Sequence, residues 1–137
     1  MMLLSFALAS AGPAYELLRQ RDPVTCGDLG EATPALRDEL IGLTDPEIRP
    51  ALVHIRAANC LSERFSADPV VQGRFAGWMT SSETAGLALA VLHRAGDMAP
   101  EVARDLVGRA ALSPNARVRA TAMQLALTLP EPAAPTP

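Results

Sequence analysis

The chain has 137 residues, of which 49% are apolar and only 4% aromatic, and it carries a net charge of −3. That length fits one small domain, and a core poor in aromatics has to be built from Ala, Leu and Val, which favours packed helices and argues against a β-sandwich. The acidic balance leaves no global positive field to collect phosphates. All twelve basic residues are Arg, so lysine Schiff-base chemistry and a phosphate-loop lysine are excluded.

The chain opens on an apolar run, residues 1–11, that ends in Ala9-Ser10-Ala11. This is the small-x-small pattern that precedes a signal-peptidase cut, although no basic residue precedes the run. Two readings stand: a signal peptide, or an apolar leader packed on the domain. Either way the run is too short to span a bilayer. A short helix is expected over 14–21, followed by a turn-rich connector over 22–31 that carries Pro23, Gly27 and Gly30.

From Thr33 the helical period is clear, with Leu36, Leu40 and Leu43 at i, i+4, i+7. A second helix is expected to start at Asp45-Pro46 and run to Phe65, with a stripe of Ile48, Ala51, Leu52, Ile55, Ala58 and Leu61. Asp68-Pro69 opens a helix whose inner face is Val71, Phe75 and Trp78. Thr80 and Glu83 have the spacing of a capping box, which starts a helix to His93 or Arg94 stopped by Gly96. Two more helices follow. One runs over 100–112 with Val102, Leu106 and Ala110 on one face, and one over 114–129 with Val118, Ala122, Leu125 and Leu129. The last eight residues, 130–137, hold four prolines and are expected to be a disordered tail.

Six times a proline follows a residue that caps a helix or stands in for one: Asp22-Pro23, Thr33-Pro34, Asp45-Pro46, Asp68-Pro69, Ala99-Pro100 and Ser113-Pro114. Proline suits the first helical position because the N–H it lacks would have no intrahelical partner there. First helices then start near 33, 68 and 99, and second helices near 46, 81 and 114, so the steps are 31 to 35 residues. That is the length of a helix-turn-helix unit in an α-solenoid.

Two second helices share a signature. Asp45-Pro46-Glu47-Ile48-Arg49-Pro50-Ala51-Leu52 and Ser113-Pro114-Asn115-Ala116-Arg117-Val118-Arg119-Ala120-Thr121-Ala122 resemble the second helix of HEAT repeats over about residues 33–129. The middle unit keeps the helix but lacks both Pro and Val-Arg. The resemblance implies an all-α, short right-handed solenoid of about three helical hairpins over 12–129 with an N-terminal capping helix. It also implies a scaffold for protein contacts, and it carries no catalytic residue.

Little in the chain points to chemistry. The two histidines, His54 and His93, fall on different expected helices, and His54 and Cys60 are about 240° apart around one helix, which does not suit a shared metal ion. No metal, cofactor or catalytic set is assigned, and the expectation is a protein that is not an enzyme. Cys26 and Cys60 form an even pair. After export they would be bridged, closing a loop of about 35 residues, and in a reducing compartment they would be two buried thiols.

Arg49, Arg56, Arg117 and Arg119 recur on the second helices as candidate partner-binding donors, with Asp45–Arg49 pairing and loop contacts of Arg119 as the structural alternative. Trp78 is either a core anchor or an interface residue. The segment 85–92 is apolar all round, so either neighbours cover it or it offers a face to a partner or a second copy. The expected function is non-catalytic protein interaction by an exported, periplasmic or secreted chain, with a cytoplasmic location as the alternative. The other two readings are a nucleic-acid-binding repeat module, against which the acidic charge argues, and an accessory subunit of an enzyme.

Overall fold

The computed structural model describes residues 12–22 and 24–129. About 70% of these are helical and none lies in a strand, so the protein is all-α. No helix among them is long and apolar enough to cross a membrane. The expected leader (1–11), Pro23 of the first proline step and the expected tail (130–137) lie outside the described residues. The chain divides into two compact units, Met1–Phe65 and Ser66–Pro137.

In the first unit, α1 (Pro13–Leu18) buries Ala14 and Leu18, one turn apart, and packs on both α2 (Pro34–Gly42) and α3 (Leu52–Phe65). A 3-10 turn, Cys26–Leu29, punctuates the connector. Helix α2 starts as its sequence dictates: Pro34 takes the first position, Thr33 Oγ1 accepts the Leu36 N–H at 3.1 Å, and Leu36 and Leu40 are buried.

The expected start of the next helix at Asp45-Pro46 is corrected. Asp45 Oδ1 accepts the Glu47 N–H at 2.8 Å and the Asp45 carbonyl accepts the Ile48 N–H, which makes a turn, and α3 begins only at Leu52. The reason lies in Pro50. A proline disfavours helical geometry at the residue before it, here Arg49, and supplies no N–H of its own. The later start also moves the buried stripe. Val53, Ala57, Cys60, Leu61 and Phe65 face inward with Ala58, whereas Leu52 and Ile55 are 40% and 42% exposed and Ala51 is exposed too.

In the second unit, Asp68 Oδ1 accepts the Val70 and Val71 N–H groups and starts α4 (Pro69–Met79). Val71, Phe75 and Trp78 are buried as their spacing predicts, and the Phe75 and Trp78 rings lie 5.5 Å apart. The capping box expected of Thr80 and Glu83 does not form. Ser81 Oγ accepts the Glu83 N–H instead, while Thr80 Oγ1 donates back to the Gly77 carbonyl. Residues Ser82–Thr84 form a 3-10 turn before α5 (Ala85–Leu92). Gly96 sits in another such turn, Ala95–Asp97, without the positive φ of a glycine stop, and α5 ends on a right-handed His93.

Helix α6 (Pro100–Ala110) buries Ala103, Leu106, Val107 and Ala110, with Val102 only half-buried. Helix α7 (Ala116–Thr128) starts two residues after Pro114 because Ser113 Oγ accepts the Asn115 N–H, forming a turn, and Asn115 is the true cap. Its Oδ1 takes the Arg117 and Val118 N–H groups at 3.0 and 3.1 Å. The helices pair α4 with α5 and α6 with α7, while α4 packs on α6 and α5 on α7.

Candidate interaction surface

Helix α7 carries two apolar stripes. Val118 and Ala122 are buried and Leu125 and Leu129 half-buried, forming the inner stripe that packs on α5 and α6. Ala116, Ala120, Met123 and Leu127 repeat the same 4-3-4 spacing two residues earlier, about 200° round the helix, and are exposed. Met123 and Leu127 are 68% and 86% exposed, and Leu112 in the preceding turn is 83% exposed. Three large apolar side chains left in water on one helical hairpin form a cluster, whereas the unit's other exposed large apolar residue, Val70, stands singly on α4. The 4-3-4 spacing of this outer stripe is visible in the sequence, but there it is masked by the inner stripe.

The apolar helix expected to raise this question answers it differently. In α5, Ala88, Val91 and Leu92 are buried and Leu87, Leu89 and Ala90 half-buried, leaving only Gly86 exposed. Neighbouring helices cover it, and the open apolar face is on α7.

The four candidate arginines do not behave alike. Arg49 is exposed, but its guanidinium donates to the Pro46 carbonyl at 2.7 Å and to that of Ile48, and not to Asp45 as the i, i+4 spacing suggests. Arg56 donates to the Leu18 carbonyl at 2.9 Å and to that of Gln20. Arg119 donates to the Ser113 carbonyl at 2.7 Å, closing the loop before its own helix. Each of these three spends donors on backbone carbonyls of its own unit. Arg117 is exposed at the edge of the outer stripe of α7. Trp78 is 8% exposed and packs on Phe75 within the core of the second unit.

Among the described residues no three His, Cys, Asp or Glu side chains converge as a metal-ligand set. His54 Nε2 lies 2.6 Å from the Ile48 carbonyl and steadies the turn before α3, and His93 is exposed at the end of α5.

One face of α3 does a different task. Arg56, Cys60 and Arg64 stand at i, i+4 and i+8, one above another on the helix. Arg56 holds the carbonyls of Leu18 and Gln20, Cys60 Sγ lies at disulfide distance from Cys26 Sγ (2.09 Å, with Cα atoms 5.3 Å apart), and Arg64 donates to the Cys26 carbonyl at 3.0 Å. Three residues of one helix face thus hold the end of α1 at Leu18, the following Gln20, and the connector at Cys26. The cysteine pair is legible in the sequence; the flanking arginines announce themselves only by their four-residue spacing.

The architecture is that of an all-helical protein of paired helices. No family model, curated protein or solved structure matches the chain.

Proposed function

We propose that the chain is a non-catalytic protein-interaction module of HEAT-like helical hairpins, working after export, and that the outer stripe of α7 is its contact face. The observation that carries this reading is the exposed row of Ala116, Ala120, Met123 and Leu127 on a helix whose opposite face is already buried. In a repeat array such a second face is where a further helix packs, and a helix with that face exposed and apolar is suited to receive a partner there. The pairing of first helix on first and second on second in the Ser66–Pro137 unit supports the repeat reading. A cysteine pair at disulfide distance supports an oxidising compartment. The partner that fits is a protein segment with an apolar face and a carboxylate near Arg117, which is free to reach it from the stripe's edge.

The test is photo-crosslinking in the native cell from a probe at position 120, on the same exposed stripe, in the parent and in the Met123→Glu/Leu127→Glu double variant as control. Both side chains are exposed, so helicity and melting temperature should stay unchanged while the crosslinked protein is lost. A double variant that crosslinks as well as the parent overturns the contact face. Strong binding to DNA or RNA that collapses as salt rises would replace the protein partner with a nucleic acid. Self-association that the same variant abolishes would make the partner a second copy.

A further inference from the structure

The carboxylate of Glu39, on α2, reaches the start of α1. Its Oε2 accepts the N–H groups of Ala14 at 2.9 Å and Tyr15 at 3.2 Å, two amides that the short helix cannot satisfy itself. It also lies against Gly12. A Cβ on that residue would sit 2.8 Å from the Glu39 carboxylate carbon and closer still to Oε2, so no other residue type fits while the carboxylate holds this place. Tetrahedral geometry at Cα then puts the Gly12 nitrogen within about 5 Å of Oε2. Oε1 lies 3.3 Å from the same Cβ position, and both amide bonds fall on Oε2, so Oε1 keeps its acceptor capacity toward Gly12. The adjoining cavity of about 440 Å³ is walled by Glu31 and Glu39 and, among the described residues, by no basic side chain.

The sequence places a cleavage signal at this residue. Ala9-Ser10-Ala11 puts the scissile bond between Ala11 and Gly12. We infer that hydrolysis of the Ala11–Gly12 bond makes Gly12 the mature amino terminus, and that its new ammonium group is received by the Glu39 carboxylate. Water adds across the peptide bond, leaving a carboxylate on Ala11 and an amine on Gly12 that takes up a proton at neutral pH. A carboxylate already holding two amides of α1 then gains a cation within about 5 Å, and the first helix is fastened to α2 by an ion pair that the uncleaved chain cannot make. The inference rests on the export reading and not on the identity of any partner.

The chain itself supplies a clean probe. It has no lysine, so the amino terminus is the only primary amine and an amine-acylating ester reports on it alone. The untagged full-length chain, made in an exporting bacterial host, should have an intact mass that starts at Gly12. At pH 7 its amine should acylate about tenfold more slowly than that of Glu39→Gln, because a carboxylate at this range holds an amine protonated by one pK unit or more. Gln keeps an acceptor for the Ala14 and Tyr15 amides, so that variant retains the helix contact and loses only the charge. Gly12→Val supplies the second arm: it keeps the cut site, since only small residues are accepted just before a cut, and pushes the carboxylate away, so its amine should also react faster than the parent's. A mass that retains residues 1–11 in the exported fraction overturns both export processing and this inference. A start at another residue overturns the inference while leaving export standing. A start at Gly12 with equal acylation rates in all three chains overturns the ion pair.

Discussion

The residues that matter most to the first unit are those which give a poorly structured connector something to hold. Among the described residues of 19–33 the one helical element is a 3-10 turn, yet Arg56, Cys60 and Arg64, at three successive turns of α3, hold the stretch at Gln20 and Cys26. With the pair oxidised, the bond closes a loop between residues 34 positions apart, which in the chain-entropy account stabilises the fold by about 3–4 kcal/mol. Urea unfolding followed with and without reductant should show that difference, and Cys60→Ser should lose the reductant dependence. Arg56 and Arg64 hold the same stretch by hydrogen bonds that need no oxidant. The cysteine pairing was legible because only two cysteines exist. The destinations of the arginines were not: a guanidinium donates to whichever carbonyl the fold brings near, and Arg49 found Pro46 and Ile48 where its spacing suggested Asp45.

Among the elements, the capped prolines read correctly where the capping side chain had no competing turn to serve. Thr33, Asp68 and Ala99 do precede α2, α4 and α6. The same polar-Pro step before α3 and α7 makes a turn in which Asp45 and Ser113 accept the N–H two residues on, and the helix starts later. A short polar side chain satisfies both geometries equally well, and its local sequence does not say which one tertiary packing selects. Asn115, rather than Ser113, therefore caps the 13-residue α7. Asn115→Ala should cost about 1 kcal/mol in thermal or urea unfolding, whereas Asp45→Ala, which touches a surface turn, should stay below about 0.5 kcal/mol. The buried stripe of α3 was misread for the same reason, since a start six residues too early brought Leu52 and Ile55 onto the inner face.

For the molecule as a whole, composition favoured helices and the apolar periods placed them, and Ala, Leu and Val do dominate the core of both units. The few aromatics are used as anchors. Phe75 is fully buried, and Phe75→Ala should destabilise the second unit by about 3–5 kcal/mol, read as a lower unfolding midpoint. Which face stays open was not legible, because α5 and α7 are both rich in apolar residues and only packing decides that α5 is covered and α7 is not. The aromatic poverty also has a spectroscopic consequence. The chain's single tyrosine, Tyr15, lies in the first unit with its hydroxyl bonded to the Arg49 carbonyl, and its single tryptophan, Trp78, lies in the second. Each unit therefore carries one native chromophore of its own kind, and tryptophan emission, excited where tyrosine does not absorb, follows the melting of the second unit with no label introduced.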